Sequence, residues 1–63
     1  MQTPKERVEF ELSEVTTRSN DLEKFLHGPS FDRLSFTQQG LLQVQYHIML
    51  SYKKVLEQRL ANW

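Results

Sequence analysis

Residues 36–61 hold no proline and a single glycine, Gly40, so they read as one unbroken helix, and in that helix apolar residues are not confined to one stripe. They come in adjacent pairs, Leu41/Leu42, Ile48/Met49 and Val55/Leu56, repeated every seven residues and linked by Gln45, Tyr52 and Arg59, with Leu60 and Trp63 extending the line. Val44, Tyr46 and Leu50 fall off that line, so apolar groups occupy most of the circumference. A helix of this kind is buried on more than one side. One further helix covers one side only, and the cheapest supplier of the remaining cover is a second copy of the chain. The expected fold is therefore all-α: an antiparallel helical hairpin assembling as a homodimer, either a four-helix bundle or an intertwined dimer. Leu41, Leu42, Ile48, Met49, Tyr52, Val55 and Leu56 are the expected dimer and core residues.

The first helix begins with a strong signal. Thr3 is suited to capping, Pro4 to the first helical position, and Glu6 to the reciprocal bond of a capping box. Val8, Leu12, Val15, Ser19, Leu22 and Leu26 then recur at alternating spacings of four and three, the stripe of a helix packed lengthwise on another, with Ser19 its one polar member. His27-Gly28-Pro29 should end it, with Gly28 in the left-handed conformation and Pro29 unable to continue the ladder. The spacing predicts helix 1 over about 4–27, a connector over 28–35 in which Phe31 and Leu34 plug the end of the core, and helix 2 over about 36–61, opened by Ser35 and Gln38. Together they make a single domain. Acids dominate helix 1, whereas Lys53, Lys54 and Arg59 face only Glu57 in helix 2, so an antiparallel hairpin brings unlike charges together and suits both macrodipoles.

Composition narrows the function. The chain of 63 residues has eight Lys and Arg against eight Asp and Glu, no Cys and two His. Without an excess of cations, nucleic acid is not an expected partner, because affinity for it comes largely from phosphate neutralisation. Two histidines and no thiolate leave too few ligands for a zinc site. No apolar run reaches the roughly 18 residues of a membrane span, and the N-terminal stretch lacks the apolar core of a signal peptide, so a soluble intracellular protein is expected. A core this small barely offsets the entropy of ordering the chain, which again favours self-association.

No constellation points to catalysis, and the chain is expected to be non-enzymatic, without cofactor or metal. Glu9, Glu11 and Glu14 read as a solvated face, and the Glu-x-x-His of di-iron bundles does not occur. His27 belongs with the last carbonyls of helix 1, and His47 lies on the less apolar side of helix 2. Neither glycine opens a phosphate loop. Lys53, Lys54 and Arg59 are the candidate anion-binding residues, although such a cluster also suits a solvated helix terminus. Phe10, Phe36, Tyr46, Leu50 and Trp63 do not all fit the seam, and they are the candidate partner-binding residues, since aromatics dominate interface energetics.

The stretches MQTPKERVEFELSEV, FLHGPSFDRLSF and LLQVQYHIMLSYKKVLEQRL resemble the small open-reading-frame products encoded between the exonuclease and excisionase genes of lambdoid bacteriophages. That resemblance implies an early accessory protein in the host cytoplasm that binds a host protein of DNA replication, recombination or cell-cycle control, DNA nucleases included, and influences lytic against lysogenic development. Glu6-Arg7-Val8 with Glu11, Lys24-Phe25-Leu26, Phe31 with Leu34, Leu41-Leu42 with Gln45, and Tyr52, Val55, Leu56, Arg59 and Leu60 are also similar to the hairpin domain of phage anti-defence proteins. Those proteins sequester cyclic nucleotide signals. The second resemblance implies a nucleotide sponge whose subunit interface, lined by Arg or Lys and by Tyr46 or Tyr52, stacks on the base and neutralises the phosphate.

Overall fold

A computed structural model describes residues 1–63: helix α1 (Pro4–Leu26), a 3-10 turn (Phe31–Arg33) and helix α2 (Phe36–Ala61). Thr3 Oγ1 accepts the Glu6 N–H and Glu6 Oε1 accepts the Thr3 N–H, each at 3.2 Å, so the capping box closes in both directions. Two long helices joined by a short turn fold back on each other as an antiparallel hairpin measuring 43 × 18 × 15 Å.

The exit from α1 differs from the sequence expectation. No residue, glycine included, has a positive φ. The helix ends at Leu26, one residue early, and His27 follows at φ −97° and ψ 1°. The Gly28 N–H donates to the Phe25 carbonyl at 3.1 Å, so the last turn tightens into i to i+3 bonding and needs no left-handed residue. The short link is then tied to α2 by a side chain that its sequence context does not advertise. Gln39 Nε2 donates to the carbonyls of Phe31 and Leu34, both at 3.1 Å, while Ser35 Oγ caps the Gln38 N–H. Phe25 meets Phe31 edge to face at 6.5 Å, closing this end of the hairpin.

Burial is sparse. Val8, Val15 and Leu56 form the buried apolar cluster, with Leu12, Met49 and Leu60 half-buried against it, and Ser19 is the one buried polar residue. Each adjacent pair on α2 is divided by the 100° step of the helix: Leu42, Met49 and Leu56 turn toward the seam, whereas Leu41, Ile48 and Val55 remain exposed. Two apolar stripes thus run along α2, and α1 covers one.

Gly40 supplies a first test. A Cβ built there meets nothing within 4 Å, and its backbone is helical. Gly40→Ala should stabilise the hairpin by about 0.5–1 kcal/mol through the smaller entropy loss of alanine, read as a higher denaturant midpoint at unchanged slope.

Candidate interaction surface

The uncovered stripe of α2 consists of Leu41, Val44, Ile48, Tyr52 and Val55, all exposed. Their spacings of three and four residues place them within one arc of the helix. Val44 was recognisable in the sequence only as an apolar residue off the main line; its neighbours on the folded surface give it a place in the stripe. Tyr52 forms the edge of the stripe, and its orientation is held by the other helix: its hydroxyl donates to the Glu11 carboxylate, a side-chain hydrogen bond from α2 to α1.

That bond raises the Tyr52 phenol above its ordinary value, chiefly because the neutral hydroxyl is the donor, with desolvation and the Glu11 charge adding and Arg59 opposing. A phenol raised in the folded state contributes stability that is complete below the unfolded value near 10 and is lost as pH rises through the folded value. The wild-type denaturation midpoint should therefore fall above pH 10. Tyr52→Phe should begin from a lower midpoint at pH 8 and lose less over the same interval; identical pH profiles for the two proteins would show that the bond contributes nothing in solution.

Tyr46 is half-buried, and its phenol is raised by desolvation first and by the Glu23 carboxylate second. Its ring lies tilted against that of His47, with centroids 5.7 Å apart. Both line an open depression of about 760 Å³ between the end of α1 and the start of α2, shared with Leu26, His27, Gly40, Gln43 and Val44. A neighbouring depression of about 510 Å³ is lined by Asn20, Glu23, Lys24 and His27.

The remaining candidates are scattered. Phe36, at the start of α2, is 91% exposed and Trp63, after its end, is 56% exposed. Phe10 is exposed on α1, two residues from both Val8 and Leu12 and hence on the face turned away from α2. Leu50, like Tyr46, is half-buried, so neither is the freely exposed contact that the sequence pattern suggests. Lys53 is half-buried while its neighbour Lys54 and Arg59, more than a turn further on, are exposed, and none of the three lines a depression. No group of three His, Asp or Glu side chains is placed to hold a metal ion, and no helix is long and apolar enough to cross a membrane.

A two-helix hairpin with a thin seam and an uncovered apolar stripe is a small all-helical scaffold whose distinctive feature is surface. The chain belongs to the Sequestin family, whose model matches residues 2–62. It is 37% identical over 57 residues, covering 90% of this chain and 89% of the relative, to a protein of Enterobacteria phage T4 described as an uncharacterized 7.5 kDa protein in the denB-rIIB intergenic region. These matches support a small phage protein and do not lead to the exonuclease–excisionase region of lambdoid phages. No solved structure matches the chain.

Proposed function

We propose that this is a non-enzymatic phage protein that acts in the host cytoplasm by sequestration: a self-associated helical hairpin occupies the surface of a host protein and holds it inactive. The observation that carries this reading is the imbalance of surface. Three large apolar side chains are buried, whereas Phe10, Phe36, Leu41, Ile48, Val55 and Trp63 are among those exposed. An apolar surface of this kind on a small protein marks sites of association. The family name agrees with capture as the mode of action. Host proteins of DNA replication, recombination or cell-cycle control, nucleases included, are the class that the lambdoid resemblance brings, together with an influence on lytic against lysogenic development.

Sequestration is stoichiometric. The protein mixed with host extract should elute with one partner at a fixed molar ratio, and Phe10→Ala or Trp63→Ala should abolish that complex while leaving the self-associated scaffold intact. Recovery of chaperones alone, at no fixed ratio, overturns the reading.

A second reading is supported by the depression at the turn end, where the rings of Tyr46 and His47 lie beside His27. A cyclic or modified nucleotide stacked there, with cations from Lys53, Lys54 or Arg59 of another copy on its phosphates, would make the protein a sponge for a defence signal. Thermal unfolding against a set of cyclic nucleotides separates the two. A true ligand at one hundred times its Kd adds about 2.7 kcal/mol, and a flat response removes the nucleotide.

A further inference from the structure

Both stripes of α2 are symmetric about a middle residue, but the one centred on Met49 is already covered by α1, and only the one centred on Ile48 is free to pair. Its five members lie at Ile48, at four residues to either side (Val44 and Tyr52) and at seven residues to either side (Leu41 and Val55). A pattern that reads the same in both directions along a helix suits a two-fold antiparallel interface, in which each residue meets its mirror-numbered counterpart on the other subunit. An asymmetric stripe would leave apolar groups opposite polar ones. We infer that two copies of the chain join through α2 against α2, antiparallel, with the two-fold axis passing at Ile48, so that Leu41 faces the partner's Val55 and Val44 faces the partner's Tyr52.

Charge selects the direction. Residues 36–52 contain no Asp, Glu, Lys or Arg, whereas Lys53, Lys54, Glu57 and Arg59 crowd the last turns. A parallel pair would set two cationic ends side by side. The antiparallel pair places each against the uncharged half of the other helix and opposes the two macrodipoles. The stripe spans roughly 21 Å at 1.5 Å per residue, from Leu41 through the end of the uncharged segment at Tyr52 and three residues beyond. The Glu11 carboxylate, by accepting the Tyr52 hydroxyl, holds that ring at the edge of the stripe before a partner arrives, which lowers the entropy lost on association.

This inference rests on the self-association proposed above, and cysteine placement tests it separately from that reading. The chain has no cysteine, so single introduced thiols are unambiguous. With a disulfide oxidant, Ile48→Cys should cross-link to itself in high yield, since facing residues on the axis come within the 4.4–6.8 Å separation of Cα atoms that a disulfide spans. Leu41→Cys alone and Val55→Cys alone should not, yet their mixture should yield the mixed dimer. Self-cross-linking of Leu41→Cys overturns the antiparallel direction. A wild-type dimer by sedimentation equilibrium combined with no cross-link in Ile48→Cys overturns this interface and leaves self-association standing. A wild-type species of 7.5 kDa at every concentration removes both.

Discussion

Leu56→Ala is expected to remove most of the cooperative unfolding transition of this protein. Leu56 is the one large apolar side chain with no exposed surface, at the centre of a buried cluster whose other members are Val8 and Val15. Truncating a buried leucine costs about 2–5 kcal/mol, from lost transfer energy and from the cavity left behind. A chain of this length has roughly 3–9 kcal/mol in all at 0.05–0.15 kcal/mol per residue, so a single truncation consumes a large part of it. Collapse around the cavity offers little relief, because Leu12, Met49 and Leu60 are the side chains packed against that cluster. Far-UV circular dichroism during urea titration should show a midpoint shifted close to zero denaturant. Gln58→Ala, two residues away on an exposed face outside both apolar stripes, is the control, and its hairpin should keep the wild-type helical signal.

The second large effect is at Ser19, where shape rather than polarity is at stake. Ser19 is 2% exposed, and its hydroxyl donates to the Thr16 carbonyl at 3.0 Å, within its own helix. The hydroxyl is thus satisfied locally and carries no bond between helices. Ser19→Ala should therefore change the midpoint by only a few tenths of a kcal/mol. Ser19→Leu, which restores the apolar pattern of the stripe, should instead destabilise by about 1–3 kcal/mol, because the added carbons have no space and the helices must separate. A stabilised Ser19→Leu would show that the seam is loose at this point.

These paired variants mark the limit of pattern reading. The heptad stripe of α1, the Thr3 cap and the approximate extent of both helices were legible, because each depends on residues within one or two turns of each other, whereas the left-handed Gly28 expected at the exit from α1 does not occur. That Ser19 is among the most deeply buried residues was not legible from its type. Nor was the role of Gln39, which ties the turn through two backbone carbonyls, or of Glu11, which the sequence assigns to a solvated face and the fold places under the Tyr52 hydroxyl. A polar side chain takes its role from whatever lies across from it, and that is a long-range property.

The candidate surface shows the same division. Adjacent apolar pairs on α2 announce a helix with more oily surface than one neighbour can cover, yet they do not say which member of each pair faces inward. Helix type, length and the presence of excess apolar surface follow from local spacing and were determined by the sequence alone. The assignment of Leu42, Met49 and Leu56 to the seam, and of Leu41, Ile48 and Val55 to the outside, was decided only by the tertiary structure. A helix carrying two equivalent stripes 100° apart can present either, and the choice is made by the energy of packing against α1.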